Sequence, residues 1–209
     1  MGMKIAPPTL GETRPGSELT ERARRALLLR DSVEGLAFAR DALEDVEGER
    51  LDISQCRFTR CRIAPGRIKW LSLTDCVFEN CDFSGALLRS ASLWRVELRD
   101  CTAAGADFSE SSLQSVLFQD AMLRYANFSR AKFHPARFES CCLDGAAFYE
   151  AKPKALAFAG GSLAEADLGG MPLKGIDLRS TDIRGIRLTG GELKGAIVSP
   201  VQAMELARL

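Results

Sequence analysis

Few side chains in this chain are suited to catalysis. His134 is the only histidine among 209 residues, and Pro135 follows it directly. No Ser–His–Asp arrangement, glycine-rich phosphate loop or zinc-ligand spacing accompanies it. A lone histidine beside a proline is usually a solvated turn residue. The sequence therefore predicts no catalytic residue, no metal and no cofactor.

Cysteines are the other reactive side chains, and the chain has seven. No CxxC pair occurs, so zinc binding is not predicted. Six of them lie at positions that differ by multiples of five: Cys56, Cys61, Cys76, Cys81, Cys101 and Cys141. Cysteine in a repeated apolar setting behaves as a small buried hydrophobe. We predict free structural thiols at these positions.

The cysteine spacing belongs to a period of five that runs through most of the chain. In LRYANFSRAKFHPARF, an alanine stands two residues before each of three phenylalanines: Phe128, Phe133 and Phe138. All 11 phenylalanines of the chain fall in this phase. Across 51–198, only Ala103 and Pro153 depart from a large apolar residue at the phenylalanine position. A fixed internal period indicates a repeat architecture.

The length of the period predicts the shape. Five residues match neither a helix, with 3.6 per turn, nor a strand, with a repeat of two. A turn in every unit would bring each large residue back inward, and four units would close a square coil of 20 residues. Coils stacked at about 4.8 Å would bury the large residue and the small one two before it. Residues 51–198 are thus predicted to form an all-β solenoid of about seven to eight coils.

Four units carry a recognisable motif: CDFSG at 81–85, ADFSE at 106–110, ANFSR at 126–130 and ADLGG at 166–170. They resemble the A(D/N)LXX repeat of the pentapeptide-repeat family. This resemblance covers 51–198 without an insertion and implies a right-handed quadrilateral β-helix. It also implies a homodimer formed through a C-terminal element. The motif specifies the fold closely and the function poorly.

Both ends of the solenoid need caps. Residues 1–16, rich in proline and glycine, are predicted to form a flexible arm. Residues 17–50 are predicted to hold a helix near 18–31 and an irregular capping coil. Residues 199–209 are predicted to form a capping or dimerisation helix, with Ser199 as N-cap and Gln202 completing a capping box. Three apolar residues there would cover the last coil or meet a second copy: Val201, Met204 and Leu209.

Any partner must then be recognised by outward-facing side chains, and three groups stand out. A basic column has 20-residue spacing: Lys154, Lys174 and Lys194. An acidic zone at 71–120 has eight carboxylates against three arginines and includes Asp82, Asp100 and Asp120. Two aromatic residues, Trp70 and Trp94, also fall at outward positions. Each group fits a partner surface, and each equally fits an ordinary solvated face.

The function predicted from these features is a non-enzymatic scaffold that binds another protein. The quinolone-resistance members of the family bind type II topoisomerases, so the resemblance implies DNA gyrase or a relative as a specific partner. Those of Gram-negative bacteria carry projecting loops and stronger acidity, which this chain lacks. The alternatives are an anionic partner or nucleic acid on the basic column, or a structural role. With a formal net charge of zero, direct nucleic-acid binding is not favoured. No signal peptide or membrane span is recognisable, so a cytoplasmic location is expected.

Overall fold

The computed structural model of the protein describes residues 3–207, which form two helices and fourteen strands. The helices are α1 (Leu19–Leu29) and α2 (Pro200–Leu206). The strands are β1 (Arg14–Pro15), β2 (Ser32–Glu34), β3 (Leu36–Ala39), β4 (Ala42–Glu44), β5 (Gly48–Ser54), β6 (Arg57–Thr59), β7 (Arg62–Ala64), β8 (Ile68–Glu79), β9 (Ser92–Arg99), β10 (Ser112–Gln119), β11 (Lys132–Phe133), β12 (Ala136–Glu139), β13 (Lys152–Pro153) and β14 (Leu156–Ala159). Neither helix is long and apolar enough to cross a membrane.

The strands stack in parallel, one coil upon the next, and the register between coils is 20 residues. Phe118 of β10 pairs with Phe138 of β12, which in turn pairs with Phe158 of β14. Isolated bridges continue the same step where no named strand occurs, as between Asp167 and Arg187. The result is a parallel β-solenoid of about seven turns with a short C-terminal helix, which confirms the predicted fold class.

The corners of the coils explain why the unit is five residues long. Almost every fifth residue has a left-handed backbone, with φ of 49–60° at the non-glycine positions, Tyr125 and Arg130 among them. From residue 83 to residue 171, this residue is the third of a hydrogen-bonded turn at two corners of each coil, as Tyr125 is between Leu123 and Ala126. A positive φ at that position is typical of a type II turn. Corner N–H groups also bond to the next coil, as from Tyr125 to the carbonyl of Asp144 at 3.0 Å. These bonds offset the strain of left-handed residues that are not glycine.

Stacked phenylalanines fill the interior as the five-residue phase predicted. Phe108, Phe128 and Phe148 form one ladder, with ring centroids 5.0 and 5.1 Å apart and nearly parallel planes. A second ladder joins Phe118 to Phe138 at 4.7 Å. The two ladders meet edge to face, an arrangement that aromatic rings favour. The axis of the rod is therefore occupied by its own side chains.

At the N-terminal end, α1 lies within the range predicted for a helix and packs against the first coils. The solenoid pairing begins at Ser32, which pairs with Asp52, so a coil precedes the boundary expected at residue 51. Gly48 stands in this coil where the pattern requires a large residue. Leu27 of α1 occupies the vacated space, since a Cβ on Gly48 would lie 2.6 Å from its Cδ2 atom. The helix thus supplies the side chain that the repeat lacks.

The segment before α1 lies against the rod at two points. Arg14 of β1 pairs with Leu36 of β3. Farther along the rod, the backbone N–H of Thr9 donates to Asp75 Oδ1 at 2.7 Å. Solution flexibility of this arm stays a prediction.

At the C-terminal end, α2 begins with the predicted capping box. The Ser199 hydroxyl accepts from the N–H of Gln202, and the Gln202 side chain accepts from the N–H of Ser199. The Gln202 amide also donates to the carbonyls of Leu178 and Thr181 at 2.9 and 3.0 Å. One side chain therefore fixes the helix start and satisfies carbonyl groups of the coil beneath it.

Candidate binding surfaces

The interior of the rod, in the part of the chain that the structure describes, is filled mainly by apolar side chains and buried thiols. Within residues 3–207 no group of histidine, cysteine and carboxylate side chains is arranged to hold a metal ion. All seven cysteines are free, and six are buried. Burial raises the pKa of Cys56 to about 11 and that of Cys141 to about 12. Such thiols carry little thiolate at neutral pH, which is the reactive form.

The acidic zone is largely neutralised by arginines. Asp82 lies 2.5 Å from Arg62 of the preceding coil. Asp75, Glu79, Glu97 and Glu110 are also in salt bridges. Asp100 and Asp120 occupy left-handed corners and form no salt bridge within the described residues. The three predicted acidic residues therefore do not form one group of free carboxylates.

Trp94 and Arg95 belong to a clamp that holds the N-terminal segment against the rod. The Arg95 guanidinium lies 3.7 Å from the centroid of the Trp94 ring. It also donates two hydrogen bonds of 2.5 Å to Asp75, the buried carboxylate that accepts from Thr9. The arginine holds the pKa of Asp75 below its usual range. The partly exposed Trp94 indole is thus part of a structural clamp.

Trp70 lies elsewhere, beside an open groove of about 1540 Å³ between α1 and the first coils. The Lys69 ammonium lies 4.3 Å from its ring centroid. Leu28 also lines this groove and is 84% exposed, whereas Trp70 is 52% exposed. The two predicted tryptophans therefore have different surroundings and do not share a surface.

The predicted lysine column extends onto a second column of the same face. Lys152 of β13 pairs in register with Lys132 of β11, and Lys154 follows it after one inward residue. The 20-residue step continues towards the C-terminal end, where the N–H of Gly175 bonds to the carbonyl of Gly195 and Asp177 forms a bridge with Ile197. His134 lies near this group: burial and then the charges of Lys154 and Lys132 lower its pKa below the usual 6.5.

Residues 71–148 match the model of a pentapeptide repeat region. The 20-residue coils described above extend the same pattern to both sides of that match. Residues 71–148 are therefore a pentapeptide repeat region. This match identifies the type of fold, and it does not indicate which outward face binds a partner.

Solved structures with similarity to this chain are distant from it in sequence. A trypsin-treated variant of QnrB1, described as a plasmid-mediated fluoroquinolone resistance protein, is 22% identical, with 97% of this chain and 95% of that chain covered and a TM-score of 0.43. HetL, involved in heterocyst differentiation regulation in the cyanobacterium Nostoc sp. strain PCC 7120, is 20% identical, with 80% and 89% covered and a TM-score of 0.30. Rfr23 of the cyanobacterium Cyanothece 51142 is 16% identical, with 86% and 99% covered and a TM-score of 0.29. No curated protein sequence is significantly similar.

The C-terminal end of the rod presents two of the three predicted dimer residues to solvent. Val201 is 61% exposed and Met204 is 63% exposed. Leu206 is the half-buried residue of α2 that packs against the core instead. Leu209 lies outside the described residues. Val201 and Met204 thus do not cover the last coil.

Proposed function

We propose that the protein is a non-enzymatic scaffold that binds another protein through side chains on the outside of its rod. The closed interior is the observation that carries this proposal. Inward positions are filled by stacked phenylalanines and small residues, so the side chains available to a partner are those that face outward. We also propose a cytoplasmic location, which the free cysteines support.

The most specific form of this proposal names a type II topoisomerase, and DNA gyrase in particular, as the partner. Its support is the likeness of the repeats to those of the quinolone-resistance proteins. The charge distribution limits how such a partner could be recognised. Five of the eight carboxylates in 71–120 are in salt bridges, so imitation of the dense charge of DNA is not supported.

A supercoiling assay tests the topoisomerase form. Purified protein is titrated into gyrase and relaxed plasmid, with and without a fluoroquinolone. We expect a change in supercoiling or relief of drug inhibition at micromolar protein. A double variant, Asp100→Asn with Asp120→Asn, removes the carboxylates of two unpaired acidic corners. Loss of the effect in this variant would assign the contact to that edge, whereas no effect of the parent protein would contradict the topoisomerase form.

We further propose that two copies associate through their C-terminal ends. The exposed apolar side chains of Val201 and Met204 on α2 support this contact, and Leu209 was predicted to join it. Such a contact would double the length of the rod and present each outward face twice.

A further inference from the structure

Five lysines form an uncompensated positive surface on one face of the rod. This lysine strip consists of Lys132, Lys152, Lys154, Lys174 and Lys194, all of them exposed. Every salt bridge among residues 3–207 uses arginine as its cation. The five ammonium groups, from a total of seven lysines in the chain, therefore lie on one face with no carboxylate bound to them.

The one carboxylate in the columns of the strip is withdrawn from it. Glu192 is buried, and its carboxylate accepts hydrogen bonds from the N–H groups of Gly170 and Gly190, at 2.8 and 2.7 Å, and from the Thr189 hydroxyl. These bonds hold the pKa of Glu192 at about 2. The charge is thus used inside the last coil and does not neutralise the lysines.

The carboxylates beside the strip are also paired with arginines. Glu150, at the corner before Lys152, accepts from Arg130 at 2.9 Å. Asp177, on the following face, accepts from Arg179 at 2.7 Å. The strip is therefore bordered by satisfied ion pairs, and its own positive charge remains open to an external anion.

We infer that the lysine strip binds an extended acidic segment of a partner protein. This inference rests on the proposal that the rod binds proteins. From Lys132 to Lys194 the strip covers three coil steps of about 4.8 Å, or about 14 Å, and a side of the square is about 10 Å wide. An extended chain rises about 3.3 Å per residue, so four to five acidic residues would match that length.

The shape of the strip favours a polypeptide over a nucleic acid. A duplex is wider than this face, so many of its phosphates would lie beyond the lysines, over the ion pairs of Glu150 and Asp177, which offer no net positive charge. Single-stranded nucleic acids are usually held by aromatic side chains on which bases stack. The strip presents lysines and the half-buried His134, and it has no exposed tryptophan, tyrosine or phenylalanine.

Binding of a fluorescein-labelled decaglutamate peptide tests the inference by fluorescence anisotropy. The triple variant Lys154→Gln, Lys174→Gln, Lys194→Gln should weaken binding about tenfold, because three exposed ion pairs of ordinary strength are lost. Affinity for the parent should fall as salt rises from about 50 to about 200 mM.

A matched control removes three charges from other surfaces. Arg25, Arg40 and Arg60 are exposed and form no salt bridge within residues 3–207, so their replacement by glutamine changes the net charge equally. The control should bind the peptide within about twofold of the parent, a difference below the typical strength of one exposed pair. Circular dichroism melts verify that both triple variants fold.

Three results would overturn the inference. The first is no peptide binding at the lowest salt, and the second is an equal loss in the control variant. The third is tighter binding of a ten-nucleotide oligonucleotide, single-stranded or duplex, through the same lysines, which would assign the strip to nucleic acid. None of these results depends on gyrase, so failure here is distinguishable from failure of the topoisomerase form.

Discussion

Replacement of Phe128 by alanine tests the link between the five-residue period and stability. Phe128 is fully buried. Its ring stacks between Phe108 and Phe148, and it meets Phe118 and Phe138 edge-on at 5.9 and 5.5 Å. Phe133 is a fifth aromatic neighbour, with its centroid 6.1 Å away, so alanine at position 128 would leave five rings facing a cavity. The substitution therefore removes the centre of the aromatic core.

The expected loss is about 4–5 kcal/mol, the upper part of the range for Phe→Ala in protein cores. Neighbouring coils cannot close the cavity readily, because each is fixed by hydrogen bonds to the coil on either side. The N–H of Phe128 bonds to the carbonyl of Ala147, and the N–H of Phe108 bonds to that of Asn127. A loss of this size is comparable to the whole stability of many domains, about 5–15 kcal/mol.

Urea unfolding followed by circular dichroism measures the effect. Tyr125→Ala is the control, since Tyr125 lies three residues away and is 65% exposed. We expect the control to lose less than about 1 kcal/mol, as surface substitutions usually do. If Phe128→Ala were as stable as Tyr125→Ala, the inward aromatic ladder would be refuted as the source of stability.

Three further predictions concern the clamp, the histidine and the C-terminal end. Arg95→Ala should destabilise the fold by about 3 kcal/mol in urea unfolding, because it leaves the carboxylate of Asp75 buried without its cation. Arg89→Ala is the control: it removes an exposed ion pair and should cost less than about 1 kcal/mol. Because the folded pKa of His134 lies below 6.5, the unfolded chain takes up the proton first, so the free energy of unfolding should fall as pH drops below about 6.5 until the folded pKa is passed. This dependence should be absent from His134→Gln. Met204→Glu should reduce the mass measured by light scattering from two copies to one, and an unchanged mass would contradict the proposed end-to-end contact.

Much of the fold follows from the sequence because the repeat itself is local. Phe128, Phe133 and Phe138 share one environment, so the period alone places them inward. The first coil could not be predicted in the same way. Gly48 breaks the apolar phase, and the residue that compensates for it, Leu27, comes from a helix 21 positions earlier. Nothing in a five-residue pattern identifies a side chain donated from outside the repeat.

The outward surfaces were predicted less well, because their chemistry depends on pairs of residues in neighbouring coils. A count of charges over 71–120 indicated an acidic zone, but Asp82 takes its cation from Arg62, outside that window. The step of 20 residues between these two was a signal that could have revealed the pair. The same step applied to Lys152 would have revealed Lys132, and with it the second column of lysines on this face.

The lysine strip places like charges close together, and their repulsion lowers the stability of the fold. Two ammonium groups stacked about 4.8 Å apart repel by about 0.9 kcal/mol in water, less with salt. Elsewhere on the rod the same geometry joins opposite charges, as between Arg62 and Asp82 or between Arg130 and Glu150. Like charges on Lys132 and Lys152 lack that stabilisation, and Glu192, the carboxylate in the same column, is turned inward. Because the core is filled independently of these positions, their repulsion can persist without unfolding the rod, and contact with an external anion would relieve it.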